Sequence, residues 1–307
     1  MEMSHYESHL LLLTPGAKEY ARAVGIDPNE VRQADACTRC HATTQTDARG
    51  QTRAVAGVSC ESCHGESGGE DSWLNTHAVY GPNETTIEQE SSEHRAWRLQ
   101  RTRKAGMIQS NQIYETAQRC LNCHLVRHEA LVNAGHSIGR EFELAGRTSG
   151  EVQHNFHENP RLNADGPTLW ARRTGASFTA RRRTKFVVGL LAELESSLLA
   201  FSRVRVDSDY SQSLVWRAES AWTLLKGADL LVKDDFPGDL KQVVTRLANV
   251  EDLDGSSKTD REKAAEWAQT ARTLARKYAA GDGSSLRILD SVLDDLVEQC
   301  GAIYKRK

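Results

Sequence analysis

Beyond Pro167 the apolar positions fall into helical spacing. Phe186, Leu190, Leu194 and Leu198 recur every four residues, and Leu214, Ala218, Ala221, Leu225 and Ala228 repeat the pattern on the next segment. Asp235-Phe-Pro-Gly238 interrupts it before Leu240, Val243, Val244 and Leu247 resume. Asp254-Gly-Ser-Ser and Gly281-Asp-Gly-Ser-Ser then set off two more helices, one carrying Ala264, Ala268, Ala271 and Ala275, the other Leu289, Val292, Leu293 and Leu296. Five helices with polar outer faces predict a bundle. Trp216, Trp222 and Trp267 read as its core, and Cys300 as a small buried residue near the end of its last helix.

Ahead of this lies a stretch without long periodic runs, rich in Gly, Ser, Asn and Asp, which predicts short helices and loops. Its apolar side chains are sparse, so something other than side chains must supply much of its core. All eleven histidines lie at or before His157, and six of the seven cysteines at or before Cys123. The fold class is therefore mainly α. A cofactor-rich domain with little regular structure, residues 1–160, precedes an α-helical bundle, residues 161–307, with the boundary near the Asn159-Pro160 and Gly166-Pro167 turn signals. A chain of about residues 165 to 307 is expected to fold alone as a colourless helical protein.

The cysteines identify the cofactor. Cys37-Thr-Arg-Cys40-His41, Cys60-Glu-Ser-Cys63-His64 and Cys120-Leu-Asn-Cys123-His124 each spell the attachment signature of c-type haem. Two thiols three positions apart can add across the two vinyl groups of one porphyrin, and the adjacent imidazole faces the iron as proximal ligand. From this composition one such motif arises by chance in roughly one chain in two hundred. A zinc ribbon uses two cysteine pairs, would leave the third unused, and gives no reason for a His after each pair. A thioredoxin-like pair needs a strand before and a helix after it, and disulfides within the pairs would be strained. Three covalent haems c follow, with His41, His64 and His124 as proximal ligands.

Eight histidines remain for the distal positions: His5, His9, His77, His94, His128, His136, His154 and His157. Bis-histidine ligation closes an iron and leaves electron transfer as its chemistry, whereas an open face binds small ligands. The segments Gly57-Val-Ser-Cys-Glu-Ser-Cys-His-Gly65, Ala134-Gly-His-Ser-Ile-Gly-Arg-Glu-Phe-Glu-Leu144 and Gly150-Glu-Val-Gln-His-Asn-Phe156 resemble those of the multihaem cytochromes similar to tetrahaem cytochrome c-554. The resemblance spans about residues 4 to 160. It implies axial ligation by His9 (from Glu7-Ser8-His9), His77, His136 and His154, four candidates for three irons. His128, four residues past His124, is expected beside the proximal ring, and His157 stands behind His154.

Charge is balanced, 39 basic against 42 acidic residues, which gives no reason to expect a nucleic-acid partner. The run Arg172, Arg173, Arg181, Arg182, Arg183 stands out, either as a solvated helix start or as a cluster pairing haem propionates or an acidic partner. No stretch is long and apolar enough to span a membrane, and the first residues lack the basic and apolar regions of a signal peptide. Since haem is attached to such motifs outside the cytoplasm, the protein is expected to be periplasmic or otherwise exported, its leader lying outside this sequence. The expected function is electron transfer between redox partner proteins, with the helical part holding the haem conduit or docking subunits of a respiratory complex. The alternative is an oxidoreductase in which one open haem acts on a small nitrogen compound or peroxide.

Overall fold

The structure, a computed structural model, describes residues 5–65, 67–68, 72–86, 88–109, 111–139, 143–147 and 177–303. It is mainly α, as the periodicity predicts. The chain divides into two units, Met1–Gln109 and Ser110–Lys307.

The first unit holds the first two cysteine motifs. A 3-10 segment, His5–Leu13, leads into α1 (Pro15–Ala23), whose N-cap Thr14 accepts the Ala17 N–H and whose first position is the proline that suits a helix start. Next come α2 (Asp35–His41), a hairpin of β1 (Thr43–Thr46) and β2 (Thr52–Ala56), and α3 (Cys60–His64). The hairpin turns at Asp47, which accepts the N–H groups of Arg49 and Gln51. Two further helices, α4 (Leu74–His77) and α5 (Ser92–Lys104), complete it. Among the described residues its apolar cluster is small: Leu12, Ala21, Val31, Ala42 and Ala54 are its buried members. So thin a core is what the sparse apolar pattern predicts for a chain that must close around cofactors.

The second unit is built on α9 (Phe178–Phe201), after α6 (Ile113–His124), α7 (Glu129–Asn133) and α8 (Leu144–Arg147). The predicted repeat Phe186, Leu190, Leu194, Leu198 is wholly buried on α9. α10 (Asp209–Val232) buries its predicted repeat just as completely, α11 (Gly238–Arg246) starts after Pro237, and α12 (Lys258–Ala280) lays its alanine stripe inward. The last predicted helix is split: Leu289 belongs to a 3-10 segment, Ser284–Ser291, and α13 spans Leu293–Ile303. Trp222 is buried, while Trp216 and Trp267 are partly buried against the same core. The side chain of Cys300 lies outside the described residues.

The third cysteine motif belongs to this helical unit. Ile113, Tyr114, Ala117 and Leu121 line one face of α6 and share a core with Phe186, Leu190 and Leu194 of α9. The turn signals near 159 and 167 lie outside the described residues. A fragment starting near residue 165 would strip α9 of these apolar neighbours, and Glu195 of its bonds to Tyr114 and Gln118. By circular dichroism, residues 110–307 should therefore melt cooperatively and at higher temperature than residues 165–307.

Candidate haem sites

In each motif both cysteines and the histidine lie on one helical stretch that ends on the histidine: α2 at His41, α3 at His64, α6 at His124. Cys60 and Cys63 are exposed, and Cys37, Cys40, Cys120 and Cys123 are half-buried. Burial pushes the Cys37 thiol up. Two thiols one turn apart with an imidazole at the next position are the donor set that covalent haem requires, and the residues fit the group.

The hairpin joins the first two sites. β1 begins two residues after His41, β2 ends four before Cys60, and Thr43 pairs with Ala56, so both attachment helices leave the same end of one ribbon. Thr43 closes it: its hydroxyl donates to the Gly57 carbonyl (2.8 Å) and lies 2.7 Å from the Ser59 hydroxyl, the N-cap of α3. His9 arrives at this junction. Ser8 Oγ donates to the carbonyl of His41 (2.8 Å) and accepts the N–H of Val58, while the His5 carbonyl accepts the same N–H. Gly57 is required by closeness alone, since a Cβ there would sit 1.9 Å from the Tyr6 carbonyl oxygen.

His77 comes close to the second motif through Trp73, which the sequence reading did not single out. The buried indole donates to the Gly65 carbonyl (2.8 Å), and its ring lies 5.5 Å from that of His64 and 5.9 Å from that of His77. Glu90 and Arg98 fix this corner. The fully buried Glu90 carboxylate takes two 2.6 Å bonds from Arg98, whose remaining nitrogen donates to the His77 carbonyl (2.9 Å). Burial pushes the Glu90 carboxyl up, but the bonds from Arg98, His94 and Arg95 pull harder and hold it at about 2. A carboxyl lowered on folding stabilises above its ordinary value near 4.5 and loses that contribution as pH falls through about 2. Urea melts should show stability falling between pH 4.5 and 2, and Glu90→Gln should flatten that part of the profile.

His136 is folded back onto the third motif. The Val126 N–H, two residues past His124, bonds the Ile138 carbonyl (2.6 Å). Gly139 makes the return possible: its φ is +124°, and a Cβ there would lie 2.2 Å from the His124 carbonyl oxygen. Arg217 of α10 donates to the Gly139 carbonyl (3.3 Å) and ties the segment to the bundle. His154 and His157 lie outside the described residues, as do Arg172 and Arg173.

Ring hydrogen bonds sort the histidines. A carbonyl only accepts, so His64 (to Ile108, 3.0 Å), His9 (to Tyr6, 2.9 Å) and His136 (to Ser137, 2.7 Å) carry a proton on Nδ1. His128 is the reverse. It caps α7 by accepting the Leu131 N–H at Nδ1, which puts the neutral ring's proton on Nε2 and makes it a poor iron ligand. Of the arginine run, Arg183 bonds Asp290 and the Gly283 carbonyl, and Arg182 bonds Asp294, within the bundle.

Residues 2–65, the stretch containing the first two sites, their hairpin and His9, match the family model described as cytochrome c554 and c-prime. No curated protein and no solved structure matches the chain. The family match supports a c-type cytochrome with covalently bound haem c, in electron transfer.

Proposed function

We propose that this chain is an exported trihaem cytochrome that passes electrons between redox partner proteins. The three haems are held by Cys37 and Cys40, Cys60 and Cys63, and Cys120 and Cys123, with His41, His64 and His124 as proximal ligands. When bound, each haem iron accepts and returns one electron. The distal imidazoles come from His9, beside the first site, His77, beside the second, and His136, beside the third, with His154 the fourth candidate. Closed at both axial positions, these sites carry electrons and leave no iron face for a small substrate.

The observation that carries this reading is the hairpin, from one end of which the first two attachment helices depart. Two haems bound so near to one another suit a conduit. The Nδ1–H bonds of His9, His64 and His136 add to it, each turning the ring so that Nε2 is the nitrogen to face iron.

Intact mass of the exported protein should exceed the polypeptide by three haem masses, all retained after acid–acetone extraction. Low-temperature electron paramagnetic resonance of the oxidised protein should show low-spin haem alone. Two haems or fewer would overturn the count. A high-spin signal with rapid cyanide or carbon monoxide binding would replace the carrier with an enzyme.

A further inference from the structure

Helix α5 has two unlike faces. Arg98 and Thr102, one turn apart, are buried, and Arg98 is neutralised by Glu90. On another face His94, Trp97, Arg101 and Lys104 follow at three- and four-residue spacing and form one stripe. Trp97 is 47 % exposed, and Arg101 and Lys104 are exposed. The indole is held in place, with the His94 ring 5.2 Å away and the Arg101 guanidinium 5.7 Å from its centroid. Arg103 adds a further exposed charge beside the stripe, and the helix's one acid, Glu93, lies in its first turn.

A half-exposed tryptophan fixed among cations is the composition of a protein-binding anchor, since Trp and Arg dominate such contacts. Its sign names the partner's, because a basic face steers and holds an acidic one. Its place in the unit gives it a use. The segment leaving α5 bonds the His64 ring through the Ile108 carbonyl, and Arg98, on the buried face of α5, holds the His77 carbonyl, so the helix that carries the stripe borders the second motif.

We propose that the Trp97–Arg101–Lys104 face of α5 docks an acidic one-electron carrier protein and that electrons cross there to or from the haem on Cys60 and Cys63. This rests on the electron-transfer reading above. In the exchange one electron leaves the reduced partner and one ferric haem becomes ferrous, with no bond made or broken in this chain.

The test uses the full haem-loaded protein and stopped-flow reduction by two reagents. Flavodoxin hydroquinone is an acidic protein donor that becomes the neutral semiquinone on losing one electron, and hexaammineruthenium(II) is a small donor needing no docking surface. At low ionic strength R101E/K104E should slow reduction by flavodoxin tenfold or more, and the difference should close near 0.5 M salt, where the screening length is about 4 Å. K18E/R22E, the same charge change on exposed residues of α1, should slow it far less. W97A should slow the flavodoxin reaction while leaving the ruthenium rate unchanged. If R101E/K104E matches the unmodified protein, or is no slower than K18E/R22E, the docking face is overturned while the carrier reading stands. If neither reagent reduces the unmodified protein, the carrier reading itself has failed.

Discussion

Replacing His136 with alanine should turn one haem of the oxidised protein from low-spin to high-spin and leave the others unchanged. The segment that carries His136 is pinned to the third motif just past His136, by the Val126–Ile138 bond and by the approach of Gly139 to His124. Its Nδ1 is bound to the Ser137 carbonyl, which leaves Nε2 as the nitrogen through which it would reach iron. Removal of a strong-field nitrogen ligand leaves a five-coordinate or water-bound iron. Electron paramagnetic resonance reads the change directly, and carbon monoxide should bind one reduced haem where it binds none before. The matching control is His128→Ala. Although His128 is closer in sequence to His124, its ring caps α7 and should leave the spin state untouched, at the cost of about 1 kcal/mol for the lost cap. If H136A stays wholly low-spin, another imidazole serves the third site.

Glu193→Ala should be the most destabilising single change in the helical unit. Glu193 of α9 and Arg217 of α10 are each about 1 % exposed at the side chain and joined by bonds of 2.5 and 2.8 Å. Cutting away the carboxylate leaves a guanidinium buried without its counter-charge, which costs about 3–5 kcal/mol. In a unit of this size that lowers the melting temperature by roughly 10 °C. Replacing both partners with apolar residues of similar volume, Glu193→Leu with Arg217→Met, should recover most of the loss, since neither charge is then stranded. Calorimetry of the two variants decides between a stabilising pair and a mere liability. Should E193A melt within a degree or two of the unmodified protein, water must reach the site.

The helical half was legible because its code is local. Leu214, Ala218, Ala221, Leu225 and Ala228 repeat at the spacing of one helical face, and α10 buries them all. The proposed attachment residues stand out in sequence for a different reason, as thiol and imidazole spacing would be imposed by a porphyrin and not by packing. What the sequence concealed is where the third motif packs. Counting histidines groups all three motifs, because histidine number follows the cofactors. Which core a helix joins is decided by Ile113, Tyr114, Ala117 and Leu121, a short apolar face inside a segment dominated by its cysteines. The hairpin was concealed likewise. Thr43-Thr-Gln-Thr46 and Thr52-Arg-Ala-Val-Ala56 carry strand-favouring residues around an Asp-containing turn, but each is only four or five residues long. Glu90 had a readable trace in its spacing of four and eight to His94 and Arg98, but no local pattern announces its burial. Trp73 and Gly139 act through contacts that no local pattern announces.

The hairpin also sets an order of assembly. Its pairing closes a loop of only a dozen or so residues, so the ends of α2 and α3 are brought together by contacts near in sequence, which form early and at little entropic cost. The first two attachment sites can thus take native geometry as soon as about seventy residues have emerged. The α6 helix has no such local support. Its apolar face waits for α9, and Tyr114 and Gln118 wait for Glu195, some eighty residues further along the chain. As the chain folds, the third cysteine pair therefore stays in loosely held chain after the first two have been drawn together.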